Sequence, residues 1–270
     1  WMPDLATRRF RWSAAKTGAA TEVRNGTRTP GKVAVFATCY VNYNEPGIGH
    51  DLLKVLDHNA IPYVIVEKES CCGMPKLELG DLKTVEAHKN ANIPVLARYA
   101  QEGYAIVSAI PSCTLMFKQE LPLMFPDDPD VQKVKAAFYD PFEYLMLRHK
   151  EGKLRTDFRQ PLGKVAYQAA CHQRVQNIGP KTKEVLSLIP DTTVDMIERC
   201  SGHDGTYAVK EEFHEFAMKI VKPVVGRVNQ ANPDHYGSDC AMAGHHIAHA
   251  RADGTAPEHP MTLLRKAYGL

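Results

Sequence analysis

Seven cysteines recur in the same order in the two halves of this 270-residue chain. The segment 31–39, GKVAVFATC, is repeated at 163–171 as GKVAYQAAC, and further cysteines follow each copy at similar spacings. The first half reads Cys39, Cys71-Cys72-Gly73 and Cys113, and the second reads Cys171, Cys200-Ser201-Gly202 and Cys240. Such self-similarity predicts two copies of one supersecondary unit.

Short β-rich runs precede the cysteines in both halves, and helical patterns separate these runs. We predict strands at 33–38, 62–67 and 104–110, and again at 164–169, 193–198 and 235–238. Alternating strands and helices indicate right-handed crossovers and a parallel sheet. The sequence therefore predicts an α/β fold of two tandem, pseudo-repeated lobes with mainly parallel sheets, whose cysteine loops lie at the carboxyl ends of the strands.

Two prolines lie inside predicted helices. Pro94 predicts an interruption of the helix over 77–101, and Pro223 predicts a kink or break in the helix over 209–228.

The repeats also suggest domain limits. We predict a basic extended arm at 1–30, a first lobe at 31–150, a linker at 151–162 and a second lobe at 163–270. The arginines and lysine of the arm favour a solvated leader, or else docking to a partner subunit or an anionic membrane surface. Because Trp1 precedes Met2, the chain is expected either to start at Met2 or to be part of a longer protein.

Composition limits the class of function. A formal charge of +2 gives no strong electrostatic field, so a nucleic-acid partner is not predicted. We find no apolar run of transmembrane length and no secretory signal. An odd number of cysteines, each after a strand-like run, suits metal ligands in a reducing compartment better than disulfides. We therefore expect a cytoplasmic protein, with peripheral contact to the inner face of a membrane as an option.

Thiolates from several strand ends are soft ligands, which select zinc or an iron–sulfur centre. Compact zinc sites usually take their ligands from Cys-x-x-Cys knuckles, which this chain lacks. The wide spacing and the tandem cysteines favour a larger cluster. In the second half an imidazole accompanies each thiol. A single histidine of this kind more often has a surface or hydrogen-bonding role. Because histidines recur at all three loops, we predict that one or more of His172, His203 and His246 is a metal ligand.

Specific segments resemble a known family. The tandem patterns, with PSCTLM at 111–116, CHQRVQNIG at 171–179, CSGHDG at 200–205 and SDCAMAGHH at 238–246, are similar to the cysteine-rich CCG domains of proteins related to the B subunit of heterodisulfide reductase. That family includes the C subunit of anaerobic glycerol-3-phosphate dehydrogenase. The resemblance spans residues 31 to 268.

The resemblance implies duplicated α/β domains that hold iron–sulfur clusters, 4Fe–4S and in some members noncubane. It implies electron transfer between the redox carrier of a partner, a flavoprotein or ferredoxin-like domain, and a quinone- or disulfide-type acceptor. By position, it implies cluster ligation by all seven cysteines: Cys39, Cys71, Cys72, Cys113, Cys171, Cys200 and Cys240. Members of this branch commonly carry an amino-terminal ferredoxin-like domain, which residues 1–270 do not include.

This chain departs from the fullest family pattern at three positions. Met116 and Ala243 stand where each half of that pattern ends in cysteine, and Ser201 replaces the second tandem cysteine. The substrate-cleaving noncubane chemistry of the full pattern therefore does not follow for this chain. Two other functions also stay open. One is a zinc-stabilised interaction or scaffold protein with structural cysteines. The other is a metal-dependent hydrolase that uses the histidine-rich half with Asp204 or Asp239 as base.

Overall fold

The computed structural model describes residues 2–203, 205 and 207–270, and the chain divides into two units. The first unit comprises residues 5–155, and the second comprises residues 156–270 together with 2–4. Each unit contains one parallel sheet with helices around it, so the predicted α/β class and the tandem arrangement are confirmed. The limits predicted for the arm, the lobes and the linker stay predictions.

The first unit has a four-stranded sheet in the order β2-β1-β3-β4, with every neighbouring pair parallel. Its strands are β1 Val33–Val35, β2 Tyr63–Ile65, β3 Ala105–Val107 and β4 Phe138–Tyr139. Its helices are α1 Phe10–Ser13, α2 Cys39–Tyr43, α3 Pro46–His58, α4 Met74–Glu78, α5 Leu82–Gln101, α6 Pro111–Leu115, α7 Leu121–Met124, α8 Pro129–Ala137 and α9 Pro141–Lys150, with a π-helical turn at Met116–Glu120.

The second unit has a three-stranded parallel sheet in the order β6-β5-β7. Its strands are β5 Gly163–Gln168, β6 Thr192–Ile197 and β7 His235–Ser238. Its helices are α10 Cys171–Arg174, α11 Lys181–Leu186, α12 Glu211–Ala231, α13 Ala241–Arg251 and α14 Pro260–Ala267, with a 3₁₀ turn at Tyr207–Val209. No helix in the described part of the chain is long and apolar enough to cross a membrane.

The predicted interruption at Pro94 and the predicted break at Pro223 are wrong, whereas a kink at Pro223 stays a prediction. Helix α5 continues through Pro94, and helix α12 continues through Pro223. Each proline lies on the exposed side of its helix, where water can satisfy the carbonyl group that loses its intrahelical hydrogen bond. The opposite faces are buried, so packing outweighs the local cost of the proline.

Buried side chains cover both sheets. In the first unit, Phe117 stacks on Phe138 at a ring-centroid distance of 4.9 Å and meets Phe36 edge-on at 5.1 Å. Strand β4, which is too short for the sequence pattern to predict, brings Phe138 into this aromatic cluster. In the second unit, Val221 and Val224 of α12 pack with Ala166, Ile197 and other side chains of a buried cluster.

Helix α1 anchors the amino-terminal segment to the first unit. Phe10 is fully buried, and it lies so close to Gly49 of α3 that a Cβ atom there would come within 2.6 Å of its ring. The Arg11 amide N–H donates to Asn42 Oδ1 at 3.0 Å, and Thr17 forms a β-bridge with Val64. Residues 10–17 therefore pack against the rest of the first unit.

We predict that Phe10→Ala lowers the free energy of unfolding by about 3–5 kcal/mol, because it leaves a cavity between α1 and α3. Trp12→Ala is the matched control, since Trp12 lies on the same helix with 69% of its surface exposed. We expect it to change stability by less than about 0.5 kcal/mol. Urea unfolding followed by circular dichroism measures both values. Equal midpoints for the two variants would show that α1 does not contribute to the core.

Candidate metal centres

All seven cysteines follow parallel strands at their carboxyl ends. In the first unit, Cys39 opens α2 after β1, Cys71 and Cys72 follow β2, and Cys113 lies in α6 after β3. In the second unit, Cys171 opens α10 after β5, Cys200 follows β6, and Cys240 is the N-cap residue of α13 after β7. Since the strands of each sheet are parallel, each unit gathers its cysteines at one sheet edge.

Two tight turns position the thiols of the first unit. Thr38, directly before Cys39, has a φ of 67°, which is unfavourable for a β-branched residue, while its hydroxyl accepts the Val41 amide N–H at 3.1 Å. Gly73, directly after Cys72, has a φ of 98°, a conformation that other residues adopt at a cost. Backbone strain of this kind persists only where the surrounding structure holds the backbone in place, and such positions are common at functional sites.

In the first unit, Cys39, Cys71, Cys72 and Cys113 lie close enough in this order for neighbouring thiols to interact, so the four form a chain of interacting thiols. The hydrogen bond from Cys39 holds the pKa of Cys71 far below its usual range. The hydrogen bond that Cys72 shares with Cys113 raises the pKa of Cys72, and burial raises it further. Cys71 is thus the favoured thiolate, while the raised pKa values of Cys39 and Cys72 keep those two thiols protonated. Metal ions at this position would take the place of those protons.

A buried carboxylate joins the first two cysteine loops. Glu69 accepts the Ala37 amide N–H at 2.9 Å, and its carboxylate lies 3.4 Å from Nη1 of Arg11. Burial raises the pKa of Glu69 to about 7, while Arg11 and the Ala37 N–H act in the opposite direction. Arg11 also donates to the carbonyl of Val66 at 2.7 Å. The amino-terminal helix therefore helps to fix the loop that carries Cys71 and Cys72.

Helix α5 fixes the same loop from another side. Asn92 accepts the Ser70 amide N–H at 2.8 Å and donates to the Cys71 carbonyl at 3.0 Å. His88 lies 2.9 Å from the Ser70 hydroxyl, and its proximity lowers the pKa of Cys71. Sequence reasoning missed both residues. Their i,i+4 spacing puts them on one helix face, but nothing in the sequence shows that this face meets the cysteine loop.

The second unit brings its thiols together less completely than the first. The hydrogen bond between Cys171 and Cys200 raises the pKa of Cys171, and Cys240 lies close enough to add a smaller electrostatic effect in the same direction. The Gly202 amide N–H donates to Cys200 Sγ at 3.4 Å. Gly202 has a φ of 73°, and a Cβ atom there would lie 2.5 Å from the Ala217 carbonyl oxygen, so this turn requires glycine.

One buried amide links the three cysteine loops of the second unit. Gln168 donates to the carbonyls of Ala169 at 2.8 Å and Arg199 at 2.9 Å, and it accepts the Ser238 hydroxyl at 2.8 Å. Ser238 in turn accepts the Cys240 amide N–H at 3.2 Å. The sequence does contain a signal for this residue: Gln168 occupies the repeat position that Phe36 fills in the first half.

The structure brings the predicted histidines of the second unit near one another. His203 is only 9% exposed and His246 is fully buried, and Nδ1 of each has no hydrogen-bond partner among the described residues. Burial, and then the proximity of His246 and His172, lowers the pKa of His203 to about 4. Burial also lowers the pKa of His246. Both imidazoles are therefore neutral near pH 7, which is the form that binds metal.

Asp239 does not fit the role of a hydrolytic base. It is buried, and its carboxylate accepts hydrogen bonds from the hydroxyls of Tyr167 and of Thr182, the latter at 2.9 Å. These contacts tie α11 to the start of α13 and occupy the oxygens that a base would need. Asp204, the other residue considered for this role, lies outside the described residues.

The donor chemistry fits a sulfur-ligated group. Four thiols in the first unit, and three thiols with neutral imidazoles in the second, are the soft and borderline ligands that select zinc or iron–sulfur centres. Within residues 2–203, 205 and 207–270, no three His, Cys, Asp or Glu side chains are grouped closely enough to hold a single metal ion.

Curated relatives include a dehydrogenase subunit, an iron–sulfur protein and a lactate utilization protein. The chain is 27% identical over 238 residues to the C subunit of anaerobic glycerol-3-phosphate dehydrogenase from Escherichia coli K12, covering 87% of this chain and 59% of that protein. It is 25% identical over 218 residues to an uncharacterized iron–sulfur protein of Methanocaldococcus jannaschii, covering 80% of this chain and 41% of that protein. It is 29% identical over 219 residues to lactate utilization protein A of Bacillus cereus G9842, covering 77% of this chain and 87% of that protein.

The chain thus spans about three-fifths of the length of the glycerol-3-phosphate dehydrogenase subunits that it matches. The model of the CCG cysteine-rich domain matches twice, at residues 33–118 and 165–246. Each match begins in the first strand of a sheet and includes all the cysteines of that unit. The chain therefore belongs to the family of CCG cysteine-rich domain proteins, of which it contains two tandem copies.

Proposed function

We propose that this chain is an iron–sulfur electron-transfer subunit of an oxidoreductase. It would pass electrons between the redox carrier of a partner subunit, a flavoprotein or ferredoxin-like domain, and a quinone- or disulfide-type acceptor. The observation that carries the proposal is the grouping of four interacting thiols at one edge of a parallel sheet. The names of the relatives support it, since they include an iron–sulfur protein and a dehydrogenase subunit.

The ligands of the first centre would be Cys39, Cys71, Cys72 and Cys113. Bound there, a 4Fe–4S cluster of cubane or noncubane form would take up and release single electrons. The protein would hold the cluster through its thiolates and tune its reduction potential by burial and by hydrogen bonds. Glu69, His88 and Asn92 are the side chains that position the loop carrying Cys71.

The second centre would use Cys171, Cys200 and Cys240 with a nitrogen ligand from His172, His203 or His246. The buried, unpaired Nδ1 atoms favour His203 and His246, because an unpaired polar atom inside a protein costs free energy unless a ligand satisfies it. His203 follows Cys200 by three residues, whereas His246 lies on α13, which begins directly after Cys240.

A surface cleft beside the Cys200 loop would receive the acceptor. It has a volume of about 600 Å³ and lies between α11 and β6. Its charged lining is mixed, with three cationic and two acidic side chains beside the apolar Met196: Lys183, Arg199, Arg227, Glu184 and Glu198. Because Arg199 directly precedes the exposed Cys200, a molecule in this cleft would lie close to the second centre.

Metal analysis tests the proposal against a zinc-stabilised interaction protein. The chain is purified without oxygen, iron, acid-labile sulfide and zinc are quantified, and electron paramagnetic resonance spectra are recorded in oxidised and reduced states. We expect iron and sulfide in equal amounts and a signal that changes on reduction. Stoichiometric zinc without sulfide would contradict electron transfer and favour the zinc protein.

We predict that Cys72→Ala removes the first centre, because it deletes a buried ligand from the middle of the thiol chain. Iron content should fall by about half while the signal of the second centre remains. Ser201→Ala is the matched control, since Ser201 occupies the corresponding position in the second repeat and is also buried. It should leave iron and sulfide unchanged, and full iron content in Cys72→Ala would contradict the assignment.

We also predict two reduction potentials, with the second centre about 100 mV or more above the first. A neutral imidazole in place of a thiolate lowers the negative charge on a cluster and so raises its potential. Anaerobic redox titration of the wild type, His203→Ala and His246→Ala locates the nitrogen ligand, because only its removal should shift the upper midpoint. One midpoint common to all three proteins would contradict the prediction.

A further inference from the structure

An arginine lies between two exposed aromatic rings near the first thiol. The guanidinium carbon of Arg9 lies 4.5 Å from the ring centroid of Trp12 and 4.9 Å from that of Tyr43. Trp12 is 69% exposed and Tyr43 is 42% exposed, so the large rings of this stack face solvent. We call Arg8, Arg9, Trp12, Lys16 and Tyr43 the Arg9 surface.

The backbone beneath the Arg9 surface is firmly held. The Ala6 amide N–H donates to the Tyr43 carbonyl at 2.7 Å, and the Arg11 N–H donates to Asn42 Oδ1 at 3.0 Å. Phe10, between Arg9 and Trp12 in the sequence, lies in the core and meets His50 edge-on at 5.2 Å. Two buried or hydrogen-bonded anchors therefore join α1 to α2 and α3, and the stack is preorganised for binding.

The Arg9 surface carries unneutralised positive charge. Arg8, Arg9 and Lys16 are exposed, and within the described residues no carboxylate forms an ion pair with Arg8 or Arg9. The Lys16 ammonium group donates to the Arg11 carbonyl at 3.1 Å, an acceptor that carries no formal negative charge. Glu45, which lies just beyond α2, accepts the Tyr40 hydroxyl at 2.8 Å.

The same short helix carries the exposed edge of the first thiol cluster. Cys39 is the first residue of α2 and is exposed, whereas Tyr43 is the last residue of that helix. A five-residue helix is only about 7 Å long, since each residue rises about 1.5 Å. A molecule seated on the Arg9 surface would thus lie next to the most accessible ligand of the first centre.

We infer that the Arg9 surface is the docking site of an acidic redox-carrier protein, which delivers one electron to the first centre past Cys39. This inference rests on the proposed function and names the chemistry of its partner. In the transfer, the reduced carrier loses one electron and the oxidised centre gains it, and no covalent bond forms or breaks. Arginine, tryptophan and tyrosine are the residue types that most often dominate the energy of protein–protein interfaces.

Stopped-flow reduction kinetics test the inference. The probe is a plant-type [2Fe–2S] ferredoxin, a small acidic protein, supplied in its reduced form to the oxidised full chain without oxygen. The variants are Arg9→Glu and Trp12→Ala. The matched control is Lys135→Glu, because Lys135 is an exposed cation on α8 and does not belong to the Arg9 surface. Reduction by dithionite is measured in parallel, since this small reductant does not need the docking site.

We expect Arg9→Glu to lower the bimolecular rate with ferredoxin about tenfold at low ionic strength, and the loss to shrink at about 0.5 M salt as charge is screened. Trp12→Ala should lower the rate about threefold at both salt concentrations, because it removes contact area rather than charge. Lys135→Glu should change the ferredoxin rate less than twofold, and every variant should keep its iron content and its dithionite rate.

Three results would overturn the inference. One is an equal effect of Arg9→Glu and Lys135→Glu on the ferredoxin rate, and another is a wild-type rate that does not depend on salt. The third is a normal ferredoxin rate in Arg9→Glu together with a loss of the wild-type protein's cosedimentation with phosphatidylglycerol vesicles. That result would assign the surface to an anionic membrane instead. If the chain holds no iron or sulfide, the proposed function fails, and calorimetric binding of oxidised ferredoxin to wild type and Arg9→Glu still tests the surface.

Discussion

Parallel strand pairing is the constraint on which both candidate centres depend. In a parallel sheet every strand ends at the same edge, so cysteines that are 29 to 41 residues apart in the chain lie side by side. In the first unit, this geometry brings four thiols close enough to interact. Tight turns with positive φ angles at Thr38 and Gly73 then position the neighbouring Cys39 and Cys72.

The two copies hold their cysteine loops in place with different side chains. In the first unit, the position before the first cysteine loop holds Phe36, which packs against Phe117, and the loops are tied by Glu69 and Asn92. In the second unit, the corresponding position holds Gln168, whose amide ties the loops by itself. A buried amide with every hydrogen bond satisfied can replace apolar packing, because it stabilises one specific arrangement.

The copies also differ in what they offer to a metal. A set of four thiols concentrates negative charge once the thiols are ionised, whereas three thiols beside neutral, buried imidazoles carry less. The first unit is moreover covered by the amino-terminal helix, whose Arg11 faces the buried carboxylate of Glu69. A protein that divides its donors in this way can separate an entry site for electrons from an exit site, which is the physical basis of the function proposed above.

The sequence by itself determined the duplication, the α/β class and the placing of each cysteine after a strand, because a repeated pattern and alternating periodicity are local signals. Only the tertiary structure decided that α5 and α12 run through their prolines, that residues 10–17 pack on the first unit, and that His88, Asn92 and Gln168 reach the cysteine loops. These outcomes depend on contacts between residues far apart in the chain. Burial of one helix face, or one hydrogen bond to a distant loop, outweighs the local preference that the sequence displays.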